Sequence, residues 1–297
     1  MQTAVAPHPV KVWLLASRLR TLPAAVAPVI VGTALAIAHG VFAWGPALAA
    51  LLGACLIQVG TNFANDYFDF KSGADTAERL GPLRVTQSGL VTASQIKTAT
   101  AIAFALATLC GLYLTWVGGW PIVAIGLLSI LSGLAYTGGP FPLGYNGLGD
   151  LFVFVFFGLV ALTGTYYVQA LSLSPIAVAV AVPVGLLSTA IIVVNNLRDI
   201  ATDVVAGKRT LAVMFGRGFA RNEYLVLVVL AYLAPLALIG AGSLSWGAAL
   251  PLLTLPMAVP LVRKVFTVQG PALNAVLAGT GQLLLAFSVL LAVGLLL

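Results

Sequence analysis

Charge is scarce in this sequence. Only 7% of its 297 residues are Asp, Glu, Lys or Arg, while 61% are hydrophobic. A soluble domain carries about 25% charged residues, so this chain cannot cover a water-facing surface, and an ordinary soluble enzyme is excluded. Cysteine is nearly absent too. Cys55 and Cys110 both lie inside apolar runs, where they read as small core residues and not as a disulfide or a thiolate metal site. His8 and His39 stand apart in polar or turn-like positions and are assigned no role. The net charge of +6 does not make a nucleic-acid binder, because the cations are not gathered on a basic face or tail.

Long apolar runs are what the sequence has instead, and their excess surface must face lipid. They recur from Leu22 to the C-terminus, each near the roughly 20 residues that a bilayer-spanning helix needs. The runs are continuous, without alternation, which favours helices over a barrel. The spacing predicts nine spans, at about 22–39, 46–64, 98–117, 120–137, 149–170, 175–196, 222–241, 245–262 and 273–296. Residues 1–20 read as an Arg-bearing amphipathic approach to the membrane, with Trp13 as an interfacial anchor. All fourteen Lys and Arg fall before the first span or after the second, sixth and eighth. A cytoplasmic N-terminus then puts every one inside, as the positive-inside rule demands. The alternate loops near 40–45, 118–119, 171–174 and 242–244 carry no charge. The eight carboxylates keep to the same side, which marks it as the working face.

Seven of those carboxylates form two clusters. At the end of span two the chain reads Asn62-Phe-Ala-Asn65-Asp66-Tyr-Phe-Asp69, continuing to Asp75 and Glu78; at the end of span six it reads Asn195-Asn196-Leu-Arg198-Asp199-Ile-Ala-Thr-Asp203, continuing to Glu223. If the helices continue, Asn62, Asp66 and Asp69 share one face, as do Asn196, Asp199 and Asp203. An Asn and Asp four apart recur 133 residues later. That offset suggests two related four-helix halves, about 22–137 and 149–262, with a ninth helix at 273–296. Carboxylates stacked on one face repel unless a cation neutralises them. An oxygen-only donor set suits a hard cation such as Mg²⁺ held with substrate phosphates. Lys71, Arg79, Arg84, Arg198, Lys208 and Arg209 add countercharge for an anionic ligand. The clusters therefore read as a metal–diphosphate site. The bland alternative, solvated loops whose charges cap helices and set topology, is disfavoured by the matched spacing. A transporter of an anionic solute would need charge near mid-membrane, whereas every charge here sits at one end of a span.

The motifs also carry a resemblance. They are Arg18-Leu-Arg20-Thr21-Leu22-Pro23, Asn65-Asp66-Tyr67-Phe68-Asp69 through Asp75, and Arg79-Leu-Gly81-Pro82-Leu-Arg84. Ala135-Tyr136-Thr137, Gly144-Tyr145-Asn-Gly147-Leu148-Gly149-Asp150 and Asn195 through Leu211 follow. Together they resemble the UbiA superfamily of intramembrane aromatic prenyltransferases, most closely its naphthoate branch. The resemblance implies an all-α integral membrane protein of nine helices around a central cavity. It implies Mg²⁺ held by Asn62, Asp66, Asp69, Asp199 and Asp203, the four aspartates being the catalytic set. A polyprenyl diphosphate and an aromatic acid, 1,4-dihydroxy-2-naphthoate, would then meet Asn62, Asn65, Lys71, Asp75, Arg79, Arg84, Tyr136, Asn195, Asn196, Arg198, Lys208 and Arg209. The expected chemistry is prenyl transfer with loss of CO₂, giving demethylmenaquinol, at the bacterial cytoplasmic membrane. Tyr67 or Tyr136 would stabilise an allylic cation. Two features depart from the family pattern. Gly73 stands where many members place the last Asp of the first motif, and the loop Thr137-Gly-Gly-Pro-Phe-Pro142 lacks the Lys or Arg common there.

Overall fold

A computed structural model describes residues 8–74 and 80–297. Among the described residues the secondary structure is helical throughout. The α-helices are α1 Pro9–Ser17, α2 Leu22–Ala38, α3 Trp44–Ser72, α4 Ala93–Gly118, α5 Trp120–Ala135, α6 Gly149–Val153, α7 Ala161–Ala170, α8 Pro175–Val205, α9 Leu211–Gly240, α10 Leu255–Thr267 and α11 Leu273–Leu295. Two irregular segments complete spanning stretches. A π-helical turn at Phe154–Val160 joins α6 to α7, and a 3₁₀ stretch at Trp246–Thr254 leads into α10. Eight stretches among the described residues are long and apolar enough to cross a membrane. The shorter α5, of 16 residues, makes the ninth crossing that the charge sorting requires.

Helix length explains where the acids end up. With 29 residues in α3 and 31 in α8, a rise of 1.5 Å per residue gives roughly 44 and 46 Å, against about 30 Å of hydrocarbon. Their last turns therefore overhang the apolar layer on one side, and these turns carry both acidic motifs. Gly73, at φ 72, ends α3 in a left-handed cap. At the opposite end Trp44, Trp116, Trp120 and Trp246 are all more than 70% exposed. Four of the five tryptophans thus ring the uncharged side, as an interfacial aromatic belt does. Trp13 has company inside the protein, its ring meeting Phe63 edge-on with centroids 5.8 Å apart.

The main core gathers α2, α7, α8, α9, α10 and α11 around α8, which is buried along most of its length. A smaller core joins α1, α3 and α4 to the returning segment at Val85 and Val91. Packing at the crossing of the π turn with α8 is backbone on backbone: a Cβ added to Gly158 would fall 2.5 Å from the Gly185 Cα. Large side chains are thereby excluded from this contact. Phe152 and Phe156 stack and face a cavity left between this wall and α3, α4 and α5.

Candidate active site

The cavity has a volume of about 590 Å³, within the range of small-molecule sites. Its polar end is built from the C-terminal turns of α3 and α8. Asn62, Asn65 and Asp69 enter from α3, and Asn195, Asn196, Asp199 and Asp203 from α8. Arg18, Arg84, Tyr136, Tyr145 and Lys208 close round them. The remainder is apolar or small-residue wall, including Ala50, Gly53, Gly111, Leu112, Gly126, Ile130 and Phe156. One chamber therefore has a charged head and a greasy body.

Each acid is held differently. Asp69, 2% exposed, takes Arg84 Nη2 at 2.6 Å and the Tyr145 hydroxyl at 2.5 Å. Lys208 Nζ stands 3.6 Å from Asp69 Oδ1 and 3.9 Å from Asp203 Oδ1, and 4.4 Å from the centre of the Tyr145 ring. Arg198 meets Asp199 with two donors, Nε to Oδ1 at 2.7 Å and Nη2 to Oδ2 at 2.5 Å. Asp66 accepts the backbone N–H groups of Val85 and Thr86, each at 3.3 Å. Burial of the Tyr136 phenol pushes its pKa well up, and Asp150, Asp203 and Asp69 raise it further. It stays a neutral phenol.

The amide of Asn62 is oriented by a count of protons. Thr21 has one hydroxyl hydrogen, which it donates to the Arg18 carbonyl at 3.0 Å. Its oxygen therefore accepts from Asn62 Nδ2 at 3.0 Å and Gln58 Nε2 at 2.9 Å. Asn62 Nδ2 also donates to the Ser17 carbonyl at 2.9 Å. With its nitrogen spent, Asn62 keeps its oxygen as an acceptor in the cavity wall. These contacts hold the bend between α1 and α2, where Arg18 adopts φ 50.

Several expected residues turn out elsewhere. Lys71 and Arg209 are exposed and outside the cavity lining, because they sit on the outer sides of the turns that carry the acids. Arg198 is 1% exposed, and it too lies outside the lining. Its guanidinium is spent on Asp199, Asn195 Oδ1 at 2.8 Å and Asn274 Oδ1 at 2.7 Å. Asp66 lies off the cavity because the 80–92 segment folds back and claims its carboxylate. Tyr67 packs beside Phe68 and the smaller core, leaving Tyr136 as the cavity's tyrosine of the two. Asp75 and Arg79 lie outside the described residues. Tyr166 and Tyr167, in the second half of α7, bond to His39 Nδ1 at 2.7 Å and the Gly118 carbonyl at 2.9 Å at the uncharged end of the bundle, which is a packing role.

Other residues came without a sequence assignment. Tyr145 and Thr137 come from the loop that lacks Lys or Arg, and Thr137 donates to Asn65 Oδ1 at 2.8 Å. Lys208 supplies that loop's missing cation by lying over the Tyr145 ring. Asn274, at the start of α11, takes Arg198 on its oxygen and donates to the Leu80 carbonyl at 2.9 Å. An amide in the first turn of the last helix, on the same side as both acidic motifs, was its one visible signal.

Among the described residues no three Asp, Glu, His or Cys side chains stand close enough to form a ready metal cage. The donors present, carboxylates and the Asn62 amide oxygen, still fit a hard cation that brings phosphate oxygens and water with it. Overhanging acid motifs, a cationic rim and a lipid-depth chamber define a multi-pass membrane protein that handles an anionic head on a greasy tail. The chain belongs to the UbiA prenyltransferase family, which matches residues 25–277.

Relatives agree over most of the length. A 1,4-dihydroxy-2-naphthoate octaprenyltransferase of Mycobacterium leprae is 38% identical over 281 residues, covering 94% of each chain. The protein of the same description from Escherichia coli is 42% identical over 267 residues, covering 87% of this chain and 86% of its own. Among solved structures, an apo UbiA homolog from Aeropyrum pernix superposes with a TM-score of 0.71 at 16% identity, covering 93% of this chain and 97% of its own. A homolog from Archaeoglobus fulgidus bound to DMAPP and Mg²⁺ gives 0.64 at 13% identity, covering 95% and 99%.

Proposed function

We propose that the protein transfers a polyprenyl group from an allylic diphosphate to 1,4-dihydroxy-2-naphthoate, with release of the acceptor carboxylate as CO₂, in menaquinone biosynthesis. The observation that carries this is the single chamber whose charged head joins both acidic motifs and whose body is apolar to membrane depth. The relatives named for that acceptor supply the choice of ring.

Asn62, Asp69, Asp199 and Asp203 would hold Mg²⁺, with Asp66 joining them if its loop contacts give way. The bound ion would neutralise charge on the leaving diphosphate. Arg84 and Lys208 face the same head and stabilise the departing oxygens as the allylic carbon–oxygen bond breaks. Asn65, Asn195 and Asn196 offer neutral hydrogen-bonding groups to the two substrates. Tyr136, held as a neutral phenol, presents a ring face to the allylic cation and a hydroxyl to the acceptor. The apolar wall keeps water from the cation, so the electron-rich ring is the nucleophile it meets.

The same proposal covers organisation and placement. Two four-helix halves, about 22–137 and 149–262, each lend one motif, with the helix at 273–296 appended. In support, α3 pairs most extensively with α4, and α8 with α9. The N-terminus and the acidic loops face the cytoplasm of a bacterial inner membrane.

An acceptor panel tests the reaction. Purified protein with Mg²⁺ and one prenyl diphosphate should prenylate carboxyl-labelled 1,4-dihydroxy-2-naphthoate, releasing one labelled CO₂ per product, and should lose activity with EDTA. Preference for 4-hydroxybenzoate would move the acceptor to another ring, and label kept in the product would exclude the decarboxylation.

A further inference from the structure

We infer that Lys208 stands where a divalent cation comes to lie between the two motifs, so that the resting site takes up metal and diphosphate together and not metal first. This rests on the proposed reading of the site as a metal–diphosphate centre. The ammonium lies between Asp69 on α3 and Asp203 on α8, 3.6 and 3.9 Å from their Oδ1 atoms. Direct hydrogen bonds to a carboxylate run about 2.7–2.9 Å, so charge holds Lys208 there, without tight directional bonding.

The other cations are fixed in a way that Lys208 is not. Arg84 and Arg198 are at most 5% exposed and make direct bonds of 2.6 and 2.5 Å to Asp69 and Asp199. The Lys208 side chain keeps 15% of its exposure, and its backbone N–H is anchored to the Asp203 carbonyl at 2.8 Å, just past Gly207 at φ 70. With the base fixed, the four-carbon stem gives the ammonium other rotamers to swing into. A metal ion in the gap needs ligand oxygens at about 2.0–2.1 Å. Two cations so close in a largely buried pocket repel strongly. Metal entry therefore requires Lys208 to leave, and the group that rewards its leaving is a diphosphate oxygen. Metal and diphosphate each remove the obstacle to the other.

The test is Mg²⁺ binding by the full-length protein in lipid nanodiscs, measured by calorimetry with and without an unreactive thiolo-diphosphate analogue of the prenyl donor. Wild type should bind Mg²⁺ weakly alone and on the order of tenfold or more tightly with the analogue present. Lys208→Gln should bind Mg²⁺ alone on the order of tenfold more tightly than wild type and bind the analogue more weakly. Lys208→Arg, which keeps the charge, should retain the weak metal binding. Lys71→Gln, outside the cavity, should match wild type, and melting curves show that every variant is folded. Metal binding by Lys208→Gln no tighter than wild type overturns the inference. So does equal binding by wild type with and without the analogue, and either result leaves the proposed reaction standing. No metal binding even with the analogue overturns both.

Discussion

At the scale of single residues, one hydroxyl hydrogen decides which atom Asn62 offers to the cavity. Thr21 spends it on the Arg18 carbonyl and so receives both Asn62 and Gln58 as donors. Thr21→Val keeps the shape but cannot accept, leaving two buried N–H groups short of a partner at about 1–3 kcal/mol each. The Asn62 amide then has no reason to keep its oxygen toward the cavity. We expect Thr21→Val to lower kcat on the order of tenfold and to raise the Mg²⁺ concentration needed for half activity, with Thr21→Ser restoring both. A uniform loss of folded protein in both variants would mean that Thr21 matters for packing alone. The sequence showed the acids and amides well, because helical spacing alone places Asn62, Asp66 and Asp69 on one face. It could not show that Asp66 turns away from the cavity. That depends on Val85 and Thr86, 19 and 20 residues on, folding back over the helix end, and no periodicity encodes such a return.

At the scale of elements, the last helix does more than fill space. Asn274 at the head of α11 joins Arg198 on α8 to the Leu80 carbonyl of the returning segment. The same segment carries Arg84 to Asp69, so α11 braces the supports of both motifs at once. Hydropathy marked this stretch as membrane helix and nothing more; its polar first turn matters only through partners 76 and 194 residues away. Asn274→Ala should leave the bundle folded yet loosen the cover over its acidic end. Hydrogen exchange should quicken in residues 80–92 and in the last turns of α8, with little change in α4 or in the middle of α9. Unchanged exchange in residues 80–92 would show the segment to be held by Val85 and Val91 packing instead.

At the scale of the whole molecule, charge sorting and the tryptophan ring give independent evidence of two unlike faces. The nine crossings read from sequence are matched by eight long stretches and α5, whose 16 residues, about 24 Å, would have been doubtful on hydropathy alone. A cysteine at Ser72 should be labelled by an impermeant thiol reagent from the cytoplasmic side, and one at Ser243 from the opposite side. Both positions are exposed, and native Cys55 and Cys110 lie within α3 and α4. Labelling of both from one side would remove a crossing, with α5 the first suspect.

The overhang of α3 and α8 carries a consequence for kinetics. It sets the charged head of the chamber at the headgroup plane while the body stays among acyl chains. On the proposed reading, the two substrates then arrive from different phases. The ring acid is counted per volume of cytosol, and the prenyl donor per area of bilayer. Adding inert lipid to vesicles thins the donor over a larger surface without changing its bulk concentration. The rate of such an enzyme follows the mole fraction of donor in the membrane, and its apparent saturation by donor is a property of two dimensions.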